Sequence, residues 1–398
     1  MRDELILGLT GMGGYAGQML NWLLGPGGEA CGIRVGAVCD PQAERFGSTL
    51  ATLSQHNIPV LSDYSDLLAQ KIDAVYLPIP IHLHRQYTEA ALVAGKPALC
   101  EKPAAGCVDD VDAMIAARDR ASLPVAIGFQ LTYLPSMRQI KHRLVAGEYG
   151  AVRRATVLAC WPRNESYFQR CDWAGKISHH GQMVFDSPAN NAMAHYIHLC
   201  LFLLGSAPDV SASPAKVESE LYRANPIENY DTCSLRTKLD TGAQMLVGMT
   251  HACANHSDAE ITVYTDKGEI RLFFGTQIEI QTHGQTEIVS LQTPAQSYMF
   301  RAFADHVKSP GSATISSLEM ARSHSAIITA ASKASSVLAV PPDALSRIVH
   351  PDGKAIRCIN GMEDMLRKSV SAGQMLYESR LAFWARPGSS IDLETASK

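Results

Sequence analysis

The chain has 398 residues, of which 46% are hydrophobic and 19% charged, and its net charge is -4. This length predicts two domains rather than one core, and the charge excludes an electrostatic nucleic-acid surface. No apolar run is long enough to span a bilayer, and the N-terminus does not resemble an export signal, so we expect a cytoplasmic protein without membrane partners whose 10 cysteines are reduced.

A glycine-rich turn follows the first predicted strand, Leu5 to Leu9. It carries Gly11, Gly13 and Ala16 in the pattern G-x-G-x-x-A, and a helical pattern follows. Such a turn lets the backbone approach a dinucleotide pyrophosphate, while the helix N-terminus offers free N–H groups. The predicted cofactor contacts in this turn are Gly11, Met12, Gly13, Gly14, Tyr15 and Ala16.

The second predicted strand, Ile33 to Cys39, ends at Asp40. An acidic side chain at this point can accept a hydrogen bond from a ribose 2′-hydroxyl, and its charge repels a 2′-phosphate. The sequence therefore favours NAD over NADP. Two alternatives stay open: Asp40 could simply begin the turn before the next helix, and Arg45 could reach the adenosine side of the cofactor.

The stretch from Asp73 to Ala105 has the pattern of a strand, a helix and a second strand. Such a unit connects parallel strands, and loops at the carboxyl ends of those strands line the ligand crevice. The second strand ends at Glu101-Lys102-Pro103, which makes Lys102 a candidate for charge stabilisation or proton transfer. The alternative is a surface lysine in a turn. The alternation of strands and helices predicts an α/β Rossmann domain, with a doubly wound parallel sheet, over residues 1–125.

These features together resemble the Gfo/Idh/MocA family of NAD(P)-dependent oxidoreductases, over roughly residues 5 to 340. Besides the glycine turn and Asp40, the resemblance is carried by PIHLH (80–84), AGKPALCEKP (94–103), GFQLTYLP (128–135) and the His195 segment. The family pattern implies a second, α+β domain with a large open-faced, mainly antiparallel sheet. It also implies further cofactor contacts from Pro78, Pro80, His84, Glu101, Lys102 and Gln130.

Residues 126–340 are predicted to form this second domain, for substrate binding and oligomerisation. Strand-like segments bounded by turn residues are Val152–Ala159, Thr232–Leu239, Ala243–Met249, Glu260–Thr265, Gly268–Phe274 and Gln277–Gln281. A sheet with one uncovered face usually buries that face against another subunit, so we expect a homodimer or homotetramer.

The substrate side is predicted between Asp172 and Gly205, where a helical pattern from Asn191 onward puts Asn191 and His195 on one face. His195 is the candidate base, because imidazole titrates near neutral pH. The family segment has an aspartate in place of Asn191, so Asn191 can orient a hydroxyl or His195 but cannot stabilise an imidazolium. Predicted catalytic residues are Lys102, His195 and Asn191, and predicted substrate contacts are Lys102, Gln130, Trp173, Asn191 and His195.

Two further features are the pair His179-His180 and the end of the chain. A histidine pair invites a metal site, but no third ligand accompanies it at metal-site spacing, so we expect no metal. A long helix is predicted over residues 316–337. Residues 341–398 are predicted to be a C-terminal helical extension, with one amphipathic helix from Gly361 to Trp384 and a loose terminal stretch from Arg386 to Lys398.

The activity implied is hydride transfer between NAD and a secondary alcohol carbon of a sugar, cyclitol or related polyol. His195 would take the hydroxyl proton while Lys102 stabilises the developing alkoxide. Two alternatives stay open. One is a glycoside-cleaving enzyme that uses tightly bound NAD for transient oxidation, and the other is a non-catalytic NAD-binding regulator.

Overall fold

The structure is a computed structural model that describes residues 4–349 and 351–393. These residues form two compact units. The first runs to Ala105 and also takes Asp109–Leu134 and Thr293–Arg322, while the second takes Gly106–Val108, Pro135–Gln292 and the chain from Ser323 onward. The first unit thus extends past the predicted boundary at residue 125. It also includes Thr293–Arg322, which is distant in sequence, and no local sequence pattern indicates that this segment belongs to the first unit.

The strands of the described residues alternate with helices at first and then follow one another directly. They are β1 (Leu5–Thr10), β2 (Ile33–Cys39), β3 (Val60–Leu61), β4 (Ala74–Leu77), β5 (Ala98–Cys100), β6 (Val125–Ile127), β7 (Val152–Cys160), β8 (Ser178–His179), β9 (Gln182–Met183), β10 (Pro214–Arg223), β11 (Thr232–Leu239), β12 (Gln244–Thr250), β13 (Ser257–Thr265), β14 (Gly268–Phe273), β15 (Gln277–Thr282), β16 (Gln285–Ser290), β17 (Val337–Ala339), β18 (Leu345–Val349), β19 (Ala355–Ile359) and β20 (Ser389–Asp392).

The α-helices of the described residues range from one turn to nearly five turns. They are α1 (Gly14–Leu24), α2 (Pro26–Cys31), α3 (Gly47–Gln55), α4 (Tyr64–Leu68), α5 (His84–Val93), α6 (Val108–Ala121), α7 (Pro135–Val145), α8 (Ala194–Leu204), α9 (Ala295–Lys308), α10 (Leu318–Ala334), α11 (Met362–Ser371) and α12 (Leu376–Ser379). Across the part of the chain that the structure describes, none of them has both the length and the apolar character needed to cross a membrane.

The first unit is built on a parallel sheet of six strands in the order β3-β2-β1-β4-β5-β6. Each neighbouring pair of strands is parallel. This confirms the predicted doubly wound α/β sheet, whose strand order reverses between β1 and β4. Because the strands are parallel, their carboxyl ends lie along one edge, which is where a ligand crevice forms in such sheets.

Helix α9 belongs to the first unit although it follows the whole second sheet in sequence. Its buried face contributes Met299, Phe300 and Phe303 to the core beneath β1 and α1, and the Phe300 ring lies 5.0 Å from that of Tyr76. The spacing of these apolar residues predicts a helix, but it does not indicate which domain the helix joins.

The predicted long helix over residues 316–337 is confirmed as α10. Its first turns belong to the first unit and the rest to the second. In the first unit, Arg118 of α6 donates to Glu319 at 2.9 Å, and Arg322 donates to Asp112 at 2.9 Å. These ion pairs are partly exposed, so they align α6 and α10 more than they stabilise the fold.

The second unit is organised around a mixed sheet of ten strands. The order is β16-β15-β14-β13-β7-β12-β11-β10-β17, and β20 also pairs with β10. Most pairs are antiparallel, while β7–β12 and β10–β17 are parallel, so the predicted α+β domain with a mainly antiparallel sheet is confirmed. All six predicted strands coincide with observed ones. β10 and β16 were not predicted because they carry more charged and polar residues than a typical strand.

The C-terminal segment, residues 341–393, differs from the predicted helical extension. The single helix predicted from Gly361 to Trp384 is wrong, because α11 ends before Gly373, whose φ is 72°. A hairpin of β18 and β19 precedes α11, the short α12 follows it, and β20 adds a strand to the large sheet. The final residues of the predicted extension, 394–398, lie outside the described residues.

The C-terminal segment covers one face of the large sheet. Leu158 and Leu246 of the sheet pack with Leu366 and Val370 of α11 in one buried core. The fit is close: a Cβ built on Gly248 would lie 2.8 Å from Val370 Cγ2. β7 is also in contact with α8. The homo-oligomer was predicted from an uncovered sheet face, and this part of the sheet is covered.

Candidate active site

The glycine turn joins β1 to α1 in the predicted way. Gly11 has a φ of 84°, and its N–H donates to Cys39 O at 2.7 Å. A Cβ on Gly11 would lie 3.1 Å from Ala16 Cβ, so the turn and the helix pack closely, as the pattern requires. Gly13 is the N-cap of α1 and offers no side-chain hydrogen bond, and the first turn holds no acidic residue. The helix N-terminus can therefore accommodate an anion.

The closest approach of the helix to the turn is at Gly17, which sequence reasoning missed. A Cβ there would lie 2.5 Å from the carbonyl oxygen of Met12. Only glycine fits, because an atom so close to a backbone oxygen forces the turn to move. The third glycine of Gly13-Gly14-Tyr15-Ala16-Gly17 was the available signal, but the pattern ending at Ala16 was already complete without it.

Asp40 holds the glycine turn through its carboxylate. Oδ2 accepts from the Met12 N–H at 2.8 Å and Oδ1 from the Gln42 N–H at 2.8 Å, and the residue is 9% exposed. The carboxylate therefore stands beside the turn, as a ribose ligand must. Arg45 is exposed and donates to the Gln42 side chain instead.

Phe46 is a second residue that the sequence did not single out. Its ring lies against the turn, since a Cβ built on Gly13 would be 2.8 Å from Phe46 Cζ. Together, Asp40 and Phe46 define one side of the turn, the first by hydrogen bonding and the second by packing.

The loop after β4 carries Pro78 and Pro80, both half-buried, and it is tied to the Lys102 loop by His84. The His84 ring is 1% exposed. Its Nδ1 lies 2.8 Å from Pro103 O and its Nε2 lies 2.9 Å from Ile79 O. Burial lowers the pKa of His84, and hydrogen bonds to backbone carbonyls oppose this shift. Both ring nitrogens face backbone carbonyls, so the ring links the loop after β4 to the loop after β5.

Glu101 is a buried carboxylate that fixes the start of the Lys102 loop. It is 4% exposed and accepts from Tyr76 Oη at 2.8 Å and from the Lys102 N–H at 3.0 Å; the Tyr15 hydroxyl also hydrogen-bonds to it. Burial raises the pKa of Glu101, opposed by the charge of Lys102. A Cβ on Gly128 would lie 2.8 Å from the Glu101 carboxyl carbon, so the carboxylate fills the space that this glycine leaves.

Lys102 lies two residues after the end of β5 and is half-buried. Gln130 is also half-buried and begins a 3-10 turn after β6. The glycine turn, Asp40, Pro78, Lys102 and Gln130 follow the carboxyl ends of β1, β2, β4, β5 and β6 in turn. The structure thus brings these predicted residues to one edge of the parallel sheet.

In the second unit, the predicted helix begins later than the sequence indicated. Helix α8 starts at Ala194, and Asn191 lies in the turn that precedes it. The prediction that Asn191 and His195 share one helical face is therefore wrong. The apolar period extends upstream of the helix because residues 188–193 form successive turns with buried side chains. Both Asn191 and His195 are half-buried.

Asn191 is paired with a carboxylate that sequence reasoning missed. Its Nδ2 donates to Asp186 Oδ1 at 2.6 Å. Asp186 is 4% exposed and also accepts from the Gly175 N–H at 2.7 Å and from Arg170 at 3.3 Å. The charge that the family aspartate would carry is absent at position 191 but present on its neighbour Asp186. Five residues of separation in an irregular segment gave no signal of this pairing.

An arginine–aromatic cluster lies in the same unit and includes the predicted substrate contact Trp173. The Arg170 guanidinium lies 4.0 Å from the Tyr167 ring centroid and 5.1 Å from that of Trp173. The Arg163 guanidinium lies 4.8 Å from the Tyr167 centroid and 5.7 Å from that of Trp161. We refer to these five residues, Trp161, Arg163, Tyr167, Arg170 and Trp173, as the arginine–aromatic cluster.

The histidine pair has a third neighbour, contrary to the sequence argument. Asp172 Oδ2 lies 3.3 Å from His179 Nε2. Among the described residues, Asp172, His179 and His180 form one group whose potential ligand atoms lie within 4.8 Å of one another. The statement that no third ligand accompanies the pair is wrong, while the absence of a metal requirement stays a prediction.

Comparison with known proteins identifies matching sequence families for both units. Residues 6–129 match the family model of an oxidoreductase family with an NAD-binding Rossmann fold, and residues 137–271 match that of a GFO/IDH/MocA C-terminal domain. The two matches together cover more than half of the chain.

Individual relatives are similar over shorter regions. An uncharacterized oxidoreductase, ORF334 of Rhizobium meliloti, is 37% identical over 91 residues, which cover 23% of this chain and 27% of that protein. An inositol 2-dehydrogenase of Klebsiella pneumoniae subsp. pneumoniae is 34% identical over 140 residues, covering 34% of this chain and 40% of that protein. The chain therefore spans less than half the length of these relatives.

Solved structures extend the likeness of fold to most of the chain. The WlbA dehydrogenase from Bordetella pertussis, in complex with NADH and UDP-GlcNAcA, has a TM-score of 0.68 at 20% identity, covering 83% of this chain and 96% of that one. At this identity the similarity concerns the fold alone.

Proposed function

Since this chain belongs to the Gfo/Idh/MocA family of oxidoreductases, we propose that it is an NAD-dependent dehydrogenase of a sugar, cyclitol or related polyol. The observation that carries the proposal is the single edge of the parallel sheet that gathers the glycine turn, the Asp40 carboxylate and the Lys102 loop. The relative named inositol 2-dehydrogenase supports a polyol as the class of substrate.

The residues at this edge fit a dinucleotide. The N-terminus of α1 has no side-chain cap and no acidic residue in its first turn, so a pyrophosphate can accept its free N–H groups without competition. Asp40 lies beside the turn and carries the charge that suits a ribose hydroxyl and repels a phosphate. These contacts support NAD over NADP as the cofactor.

The proposed catalytic roles belong to Lys102 and His195. When bound, the nicotinamide supplies the hydride chemistry. Lys102, whose backbone is fixed by the buried Glu101 carboxylate, stabilises negative charge on the substrate oxygen. His195 accepts the hydroxyl proton. Asn191, held by Asp186 at 2.6 Å, orients the substrate hydroxyl.

The remaining parts of the proposal concern location, assembly and metal. We expect a cytoplasmic enzyme with no metal requirement and no nucleic-acid or membrane partner. We also expect a homodimer or homotetramer, whose contact surface lies outside the sheet face that α11 covers. Size-exclusion chromatography with light scattering measures the assembly directly, and a monomer at all concentrations would contradict it.

The proposal is tested by following NADH absorbance with NAD and a panel of sugars, cyclitols and sugar acids. Wild type should produce NADH with one substrate class, and Lys102→Ala should lower the rate by about a hundredfold or more, as loss of transition-state charge stabilisation does. The matched control is Lys71→Ala, an exposed lysine in the same unit. NAD binding without NADH from any substrate would contradict the proposal and favour a regulator.

A further inference from the structure

The arginine–aromatic cluster contains more positive than negative charge. Arg170 is paired with Asp186, at 3.3 Å. No carboxylate of the described residues forms an ion pair with Arg163. The cluster and Asp186 therefore hold two guanidinium groups and one carboxylate, which leaves one positive charge on the Arg163 side.

Arg163 is held in a fixed orientation by its neighbours. Its guanidinium lies near the faces of both Trp161 and Tyr167, and the Tyr167 hydroxyl takes a hydrogen bond from it. The Arg163 Nε is buried and has no hydrogen-bond acceptor. The two rings supply no charged acceptor, so the guanidinium N–H groups that Tyr167 does not use have no carboxylate partner among the described residues.

The charge of Arg163 affects the pKa of a neighbouring buried histidine, His251. His251 lies against the cluster, with Nδ1 2.7 Å from Trp161 O. Burial, followed by the charge of Arg163, lowers the pKa of His251 to about 3. His251 is therefore neutral at pH 7 and neither adds to nor offsets the positive charge.

The cluster is connected to the proposed substrate residues at two points. The Trp161 ring makes an edge contact, at 5.8 Å, with Tyr196, the residue after His195 on α8. At the other end, Arg170 and Asn191 bind the same Asp186 carboxylate. Trp161 and Asp186 thus connect the cluster to the turn and helix that carry Asn191 and His195, and Arg163 is the arginine of the cluster without a carboxylate partner among the described residues.

We propose that Arg163 binds an anionic group of the substrate, so that the oxidised polyol is acidic: a sugar acid or a sugar phosphate rather than a neutral sugar or cyclitol. This inference rests on the proposed dehydrogenase function and narrows its substrate class. A carboxylate or phosphate can accept two parallel N–H groups of one guanidinium. A neutral polyol would leave the charge of Arg163 without a counter-ion in a half-buried position.

The test compares matched neutral and acidic substrates. Glucose, glucuronate and glucose 6-phosphate, with the corresponding galactose and mannose series, and inositol with inositol phosphate, are assayed with NAD for wild type, Arg163→Met and Arg163→Lys. Methionine keeps the apolar contact with both rings, and lysine keeps the positive charge without the planar guanidinium that can donate two parallel hydrogen bonds. The matched control is Arg154→Met, because Arg154 also lies over an aromatic ring, that of Tyr264 at 4.1 Å.

Wild type should favour one acidic series over its neutral counterpart by about tenfold or more in kcat/KM. Arg163→Met should lower kcat/KM on the acid by about ten- to a hundredfold, as loss of a charged hydrogen bond does, mostly through KM. Arg163→Lys should restore part of it, and Arg154→Met should change neither. The series that responds, carboxylate or phosphate, identifies the anionic group.

Two results would overturn the inference, and they differ from each other. A preference for neutral substrates, or an equal effect of Arg163→Met on the neutral and acidic member of a pair, would contradict anion binding by Arg163 but not the proposed dehydrogenase function. If NAD binds but none of the compounds yields NADH, both the proposed dehydrogenase function and the role of Arg163 are contradicted. Thermal unfolding of Arg163→Met within about 3 °C of wild type ensures that a loss of rate is not a loss of fold.

Discussion

The anchoring of α8, the helix that carries His195, leads to a prediction about pH. Lys141 of α7 is completely buried, and its Nζ donates to Gly205 O at 2.6 Å and to Val210 O at 3.2 Å. Gly205 is the C-cap of α8, where a cation is favoured by the helix dipole. Burial nevertheless lowers the pKa of Lys141 to about 7.

The lowered pKa fixes the sign of the effect on stability. In the unfolded chain a lysine has a pKa of about 10.4. Between that value and about 7, the unfolded state binds a proton that the folded state does not, so the free energy of unfolding rises with pH. Lys141 alone should contribute a rise of about 1 kcal/mol from pH 7 to 8, and about 2 kcal/mol from pH 7 to 9.

Lys141→Met removes this titrating group, and urea unfolding at pH 7, 8 and 9 measures the effect. The difference in free energy of unfolding between wild type and variant should change by about 2 kcal/mol across this range, in favour of wild type at high pH. Buried cysteines also titrate on unfolding above pH ~8.5, but they are common to both proteins and cancel in the difference.

The matched control is Lys267→Met. Lys267 is exposed and also donates to a backbone carbonyl, Glu148 O at 2.9 Å. Its stability curve should run parallel to that of wild type. If the Lys141→Met curve is also parallel to that of wild type, burial does not lower the pKa of Lys141 in the folded protein.

Three further predictions concern the cofactor turn and the C-terminal segment. Asp40→Ser should lower the ratio of the Kd for NADP to the Kd for NAD by about tenfold, because a charge that repels the 2′-phosphate is removed. An unchanged ratio in fluorescence titrations would show that Asp40 does not determine the preference for NAD. Gly17→Ala places a Cβ 2.5 Å from Met12 O and should raise the Kd for NAD at least about tenfold. The control Gly47→Ala meets no atom within 4 Å and should bind NAD as wild type does. Equal Kd values for Gly17→Ala and wild type would contradict this prediction. Leu366→Asp should destabilise the C-terminal segment by about 3 kcal/mol or more and cause self-association that light scattering detects. The control Lys368→Asp, at an exposed position, should do neither. If Leu366→Asp keeps the mass and melting temperature of wild type, Leu366 does not hold the C-terminal segment on the sheet.

The first unit could be predicted from sequence because its signals are local. The strand, glycine turn and helix around Gly11 lie within twenty residues, and the EKP loop follows its strand directly. The tertiary partners of these residues could not be predicted. The buried contact of Glu101 with Tyr76 and the two carbonyls that face the His84 ring join different connections of the sheet, and no spacing along the chain indicates them.

The second unit was harder to predict for the same physical reason. Its irregular segment from Trp161 to Asn191 contains little regular structure, so no periodicity shows that Asp186 reaches Asn191 or that Arg163 and Arg170 flank Tyr167. The covering of the sheet by α11 was also missed. The amphipathic pattern around Leu366 predicts a buried face, but the same pattern fits a partner subunit or the chain's own sheet.

Hydride transfer is tested with the substrate identified by the panel, labelled with deuterium at its carbinol carbon. After reaction with NAD, the products are quantified by absorbance and mass spectrometry. We predict one reduced nicotinamide for each ketone formed, with the deuterium on the nicotinamide ring. Cleavage of a glycosidic bond with no accumulation of reduced nicotinamide would contradict it, and would identify the cofactor as a transient oxidant.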